Sequence, residues 1–197
     1  MEFEIRKLTP ALAEDYVRFF DATPHDDHVD EHKCYCVCWC DDDYEGKDFS
    51  SREKRRDWAG RYVREGNIQG YLAYYGGNAV GWCNANTKSD CLKCCSWRMF
   101  MDYVPVGESG GDIKVKSVFC FTIAPEMKRK GLATKLLERV CEDAARDGFD
   151  FVEVYPKKVV ADETINFGGP FEMYRRCGFT VYYEAEQGLV MRKKLKE

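Results

Sequence analysis

Several things are scarce in this sequence of 197 residues, and each absence narrows what the chain can do. No apolar stretch approaches the roughly 20 residues that a membrane-spanning helix needs, so no membrane partner is expected. The N-terminus carries no apolar signal core, and a cytoplasmic location is the expectation. Charge is close to balance, with a formal net of −4 and 32% charged residues. A broad basic surface for nucleic acid is therefore not expected. Neither G-x-G-x-x-G nor a glycine followed by Lys-Ser/Thr occurs, which removes the common dinucleotide and Walker readings. No internal repeat or low-complexity tract is present. Histidine is rare, with only His25, His28 and His32.

Cysteine, by contrast, is abundant: there are eleven, an odd number that cannot all pair within the chain. Without an export signal, reduced thiols are the default. Cys34, Cys36, Cys38 and Cys40 would share one face of an extended segment, and Cys91, Cys94 and Cys95 one face of a helix. Two thiol clusters invite a zinc reading. Against it, four alternating thiols do not make paired knuckles and the second Cys-x-x-Cys is missing, so no metal is expected. Small buried thiols account for them as well. The three histidines fall near one helical face without suggesting a ligand set.

Length suits one domain over residues 1–197 with room for a full core. Residues 1–8 alternate as a first strand. Thr9 with Pro10 opens a helix through Leu12, Tyr16, Phe19 and Phe20. An irregular, acidic, aromatic and Cys-rich segment follows at 21–48. Ser51 starts a second helix that Gly66 ends. Residues 71–75 and 79–86 form a hairpin around Gly76-Gly77-Asn78. Residues 89–101 read as one short helix and 107–111 as a flexible loop. Residues 151–156 read as a strand, 171–177 as a short helix stopped by Gly178, and 179–184 with 189–195 as a closing hairpin around Gln187-Gly188.

The chain is organised around Val118 to Val140. Val118, Phe119, Cys120, Phe121, Thr122 and Ile123 suit a strand buried on both faces, stopped by Pro125. Leu132, Leu136, Leu137 and Val140 then recur at helical spacing. Between them Lys128-Arg129-Lys130-Gly131-Leu132-Ala133 is basic and opens a helix. Unpaired amides and the positive end of the helix dipole make that turn an anion cradle into which a pyrophosphate would fit.

Strand, basic glycine turn and helix in this order resemble the acetyl-CoA-binding segment of the GNAT superfamily of N-acetyltransferases. That family's Arg/Gln-x-x-Gly-x-Gly/Ala is matched by Lys128 to Ala133, with Lys128 where Arg or Gln is usual. Phe171 to Phe179 resembles the family's late motif, a short helix with Tyr four residues before Gly-Phe. The element order β-α-α-β-β-(α)-β-α-β-α-β-β extends the resemblance over most of the chain. It implies an α/β (α+β) fold, a mixed twisted sheet of about six to seven strands flanked by helices.

The resemblance further implies acetyl-CoA as co-substrate and transfer to a primary amine of a small molecule or peptide, by direct attack in a ternary complex. Main-chain groups of Phe121, Thr122 and Ile123 would hold the pantetheine arm. Lys128, Arg129, Lys130, Gly131, Leu132, Ala133 and Thr134 would hold the pyrophosphate. Tyr174 would be the acid that protonates the departing thiolate, and Glu153 a candidate base, against the plainer reading of a partly exposed sheet carboxylate. Tyr35 and Trp39, among the acids Asp41, Asp42 and Asp43, would line the pocket for a cationic amine. A monomer or homodimer is expected. Two other classes stay open: an acyl-CoA-binding module without catalysis, and a cysteine-rich metal or redox protein on the same scaffold.

Overall fold

Period-two alternation along residues 70–87 decides which side chains meet which helices. In the computed structural model, which describes residues 1–106, 113–157 and 167–196, Tyr71, Ala73, Cys83 and Ala85 face one helix layer. Leu72, Tyr74 and Trp82 face another on the opposite side. Seven strands form one mixed sheet: β1 (Glu4–Lys7), β2 (Gly70–Tyr75), β3 (Asn78–Thr87), β4 (Val115–Ile123), β5 (Phe151–Val154), β6 (Thr180–Glu184) and β7 (Leu189–Lys194). Their spatial order is β1-β2-β3-β4-β5-β7-β6. β4 and β5 are parallel, and the other neighbours are antiparallel. The expected α/β architecture is therefore present.

The helices are α1 (Ala13–Ala22), α2 (Arg52–Glu65), α3 (Lys88–Cys91), α4 (Cys95–Phe100), α5 (Leu132–Arg146) and α6 (Phe171–Arg176). No helix of the described residues is long and apolar enough to cross a membrane. α5 lays Leu132, Leu136, Leu137 and Val140 against Tyr71, Ala73, Val118 and Val152. Each such leucine, fully buried, contributes about 2 kcal/mol. α1 and α2 cover the other face, where Tyr16 meets Trp82 edge-on at 4.9 Å. α2 is bounded as expected: the Ser51 side chain accepts from the Lys54 amide, and Gly66 caps the end in the left-handed region.

Three local expectations need correction. Thr9 makes no side-chain cap, and Pro10–Leu12 is a 3₁₀ turn ahead of α1. Residues 89–101 divide into α3 and α4 rather than forming one helix. The run from Cys34 to Cys40 is not extended, so its thiols do not form the alternating row of a strand. Tyr35 and Cys36 are both left-handed, and Val37–Trp39 is a 3₁₀ turn. Tyr35, Cys36 and Val37 are consecutive and all fully buried, which a strand with alternating side chains cannot achieve. The expected loop at 107–111 lies outside the described residues.

Gly81 in β3 lies beneath the first residue of α5. A Cβ there would come within 2.9 Å of Leu132 Cδ2 and 3.2 Å of Ile123 Cδ1. Gly81→Val should therefore destabilise the fold by about 1–3 kcal/mol through overpacking and displace the start of α5. Urea unfolding measures the first effect, and NMR shifts of the residue 131–134 amides measure the second.

Candidate active site

β4 and β5 pair only from Val115↔Phe151 to Val118↔Val154. Beyond Val118, β4 runs on to Ile123 while β5 has ended, so the two chains splay. At the start of the splay β4 carries a bulge. Its register with β3 passes from Ala85↔Val118 to Asn84↔Cys120, leaving Phe119 as the extra residue. A bulge bends the strand and re-aims its groups. The Phe121 amide, facing the splay, donates to the Phe167 carbonyl at 2.7 Å.

β4 leads directly into the basic turn. Pro125–Met127 is a single 3₁₀ turn, after which Arg129 (φ 62°) and Gly131 (φ 78°) are left-handed. The Lys135 amide donates to the Gly131 carbonyl. Gly131, just ahead of α5, gives no side-chain cap to the first amides of the helix, which a helix start leaves without intrahelical partners. Lys128, Arg129 and Lys130 are exposed, and Lys128 Nζ lies 3.1 Å from Asp26 Oδ1. Leu132 is buried in the core, so it can offer a ligand only its amide. A substituent on Gly131 would meet nothing within 4 Å, but its positive φ favours glycine. A basic turn of this kind at a helix mouth is suited to an anion.

Beside β4, on the α1 side, lies a cavity of about 200 Å³. Phe20, Trp39, Phe119, Phe121 and Phe167 give it an aromatic wall, and Cys34, Cys36 and Cys120 add three thiols. Its polar groups are Thr23, Thr122, His25, Asp26 and Lys33. A splayed edge that lines a cavity at Phe119 to Thr122 and runs on into a basic helix mouth suits an extended ligand with an anionic end.

Residues 35–179 match the acetyltransferase (GNAT) family. The chain belongs to the GNAT family and is an acyltransferase. No curated protein matches it significantly in sequence. Solved structures share its fold. A GNAT-family protein from Desulfovibrio desulfuricans is 13% identical over 99% of this chain and 100% of its own, with a TM-score of 0.55. YncA of Salmonella typhimurium, solved with its cofactor acetyl-CoA, is 15% identical over 100% and 96%, at 0.53. A polyamine N-acetyltransferase of Drosophila melanogaster that forms N-acetylagmatine is 12% identical over 97% and 98%, at 0.54.

Within this GNAT fold the residues expected at the site separate. Phe121 and Thr122 line the cavity, as does Trp39, whose ring sits 5.0 Å from Phe119. Tyr35 does not. It is buried in the core, its carbonyl accepts from Tyr16 Oη at 2.9 Å and its hydroxyl donates to Asp21 at 2.8 Å. Burial pushes its phenol up to about 12. Asp41 is likewise structural: Lys47 Nζ lies 2.6 Å from it, and the Tyr62 hydroxyl donates to it. Asp42 and Asp43 do not line the cavity, whose carboxylate is that of Asp26.

Tyr174 is fully buried, donates its hydroxyl to the Gly168 carbonyl and packs edge-on against Phe179. Burial holds its phenol far above the ordinary value. A Cβ on Gly169 would reach within 2.8 Å of the Tyr174 hydroxyl, so glycine leaves room for that oxygen. Glu153 is neither a partly exposed carboxylate nor a cavity group. With no exposed surface, it lies 2.6 Å from Lys88 Nζ and 2.5 Å from Arg192 Nε. It also accepts from Tyr155 Oη at 2.7 Å. Two cations and a phenol engage both its oxygens, which leaves it poorly placed to take a proton from an amine.

His25, Asp26 and Cys120 were not foreseen as cavity residues. Cys120 had a signal, since it lies within the same strand run as Phe121. His25 had one in Asp27, two residues on.

Removing one partner from a buried charge network leaves an uncompensated charge. Lys88→Met should lower stability by about 3–5 kcal/mol, read as a fall in the urea midpoint with an unchanged m-value.

Proposed function

We propose that this chain transfers the acetyl group of acetyl-CoA to a primary amine of a small molecule or peptide, by direct attack in a ternary complex. Residues 1–197 would act as one acetyltransferase domain. The observation that carries this reading is the continuity of the splayed β4 edge with the first amides at the mouth of α5. The pyrophosphate sits on the amides of residues 129–134, with Arg129 and Lys130 adding charge. The pantetheine arm runs along Phe121, Thr122 and Ile123 as an added strand. To lie there it replaces the Phe167 carbonyl as the acceptor for the Phe121 amide. An amide of this edge polarises the thioester carbonyl.

A neutral amine attacks the thioester carbon, the C–S bond breaks and the sulfur departs as thiolate. Tyr174 is the proposed proton donor. A free thiol resembling cysteine has a pKa of about 8.5, below that of a buried phenol. The burial that lifts Tyr174 lifts a departing thiol in the same cleft too, so the gap narrows. The amine sits in the aromatic cavity, where Trp39 offers a π face and Asp26 a carboxylate.

Calorimetry with acetyl-CoA and a CoA-release assay over a panel of primary amines test the reading, and binding without release would reduce the chain to a carrier-binding module. Gly131→Asp should weaken acetyl-CoA binding by about 100-fold or more, by setting a negative charge and a strained backbone against the pyrophosphate. Tyr174→Phe should lower kcat by about 100-fold with little change in acetyl-CoA affinity. Because burial raises the Tyr174 pKa, the phenol stays protonated and causes no alkaline loss of kcat below about pH 10. Unchanged turnover of Tyr174→Phe at every pH removes this residue from the mechanism.

A further inference from the structure

Two of the three histidines, without a role in the sequence, converge on one carboxylate. His25 Nδ1 lies 2.6 Å from Asp27 Oδ1, and His32 Nδ1 lies 2.6 Å from Asp27 Oδ2. The Val29 amide donates to the same carboxylate at 2.9 Å. An ionised Asp27 carboxylate only accepts, so a neutral ring bonded to it would carry its hydrogen on Nδ1 and leave Nε2 its lone pair; the Asp27 amide also approaches His25 Nδ1, at 3.5 Å. The His32 bond, the Val29 amide and His25 together hold the Asp27 carboxyl well below the usual range. His25 lines the aromatic cavity and its side chain is 34% exposed.

We propose that His25 is the general base of the acetyl transfer, with Asp27 as the residue that positions its ring. The inference rests on the acetyltransferase reading above. As the amine nitrogen attacks the thioester carbon and the C–N bond forms, its proton passes to His25 Nε2. The imidazolium so formed is stabilised by the Asp27 carboxylate. The C–S bond breaks, the CoA sulfur takes its proton from Tyr174, and that phenol regains one from solvent. His25 then releases its proton at its exposed edge, so the sum is an amide plus CoA thiol.

Other groups facing His25 are less suited. Asp26 is paired with Lys128. Lys33 is held by Asp30 at 3.0 Å and by the Asp21 carbonyl at 2.8 Å. Across the cavity, Cys34 and Cys36 stay protonated: the bond to Cys36 and burial raise Cys34, and the bond to Cys120 raises Cys36. Cys120 is a partner within that thiol group. His25, Asp27 and His32 could also be read as a metal site, since their ligand atoms lie within 4.8 Å of one another. The 2.6 Å N···O separations are those of hydrogen bonds, whereas tetrahedral ligands about 2.1 Å from zinc stand about 3.4 Å apart.

The test begins with calorimetry. If the wild type does not bind acetyl-CoA, the acetyltransferase reading fails first and takes this inference with it. If it binds, His25→Gln should bind within about twofold. Long-range ¹H–¹⁵N spectra at pH 8 then read the tautomer without any amine, and His25 should show Nδ1–H with Nε2 bare. A hydrogen on Nε2, or zinc bound in one equivalent and lost in His32→Ala, overturns the assignment.

With spermidine, agmatine or 2-phenylethylamine as acceptor, His25→Gln should lose about 100-fold in kcat at an unchanged KM for acetyl-CoA. Added imidazole should restore part of the rate to His25→Ala. Asp27→Asn removes the anion that favours the imidazolium, so the acid limb of kcat/KM should move to lower pH. Wild-type turnover in His25→Gln, or an acid limb that stays in place in Asp27→Asn, overturns the proposal.

Discussion

β4 has a strand on one side along its length and on the other only as far as Val118. Everything at the site follows from this imbalance. A backbone amide within a protein must find an acceptor, and past the end of β5 the sheet no longer supplies one. The Phe167 carbonyl fills that need for Phe121. The bulge at Phe119 falls where the pairing with β5 ceases, so the strand bends as it loses its neighbour. An extended ligand with its own amide groups is a natural partner for such an edge. Because β4 passes through one 3₁₀ turn into α5, the exposed edge and the first amides of the helix mouth lie on one continuous stretch of chain.

The two walls of the cleft are built by different physics. On the α5 side, apolar packing fixes the geometry, and Gly81 lets Leu132 seat tightly on β3. On the other side the segment between α1 and α2 has little regular structure, and polar bonds hold it. Arg55 donates to the carbonyls of Lys33 at 2.9 Å and Phe49 at 2.6 Å, and to that of Glu31. Asp41, clasped by Lys47 and Tyr62, ties the same segment to α2. An acidic, irregular stretch can thus form one wall of a cavity without a helix or strand of its own.

How much of this the sequence disclosed depended on how far each signal reached. Local chemistry was readable: Ser51 and Gly66 bound α2, Gly76-Gly77 turns the β2–β3 hairpin, and Lys128 to Ala133 opens α5. Signals that depend on distant partners were not. Glu153 alternates like any strand residue, and only Lys88 and Arg192, far away in the chain, make it a buried charge. Spacing suggested an extended thiol row from Cys34 to Cys40, but the burial of three successive residues at 35–37 outweighed alternation. Tyr35 is drawn into the core by Tyr16 and Asp21, contacts that its aromatic neighbourhood in the sequence did not announce.

The contrast between Tyr174 and Glu153 bears on how the chemistry is divided. Both are buried without exposed surface, yet their freedom to react differs. Tyr174 is neutral and gives one hydrogen bond, to the Gly168 carbonyl. Exchanging that acceptor for a departing sulfur replaces one hydrogen-bond partner with another before the proton moves. Glu153 is an anion between two cations, so a proton arriving there would leave Lys88 and Arg192 facing a neutral partner in a medium that penalises unpaired charge. Burial therefore keeps Tyr174 protonated until the sulfur departs, and it works against a base held as a paired anion. A base must also lose its proton to solvent after each turnover, which favours a group at the edge of the cavity. Among the described residues lining it, His25 combines solvent access with a ring hydrogen-bonded to a carboxylate, which suits the base role proposed for it.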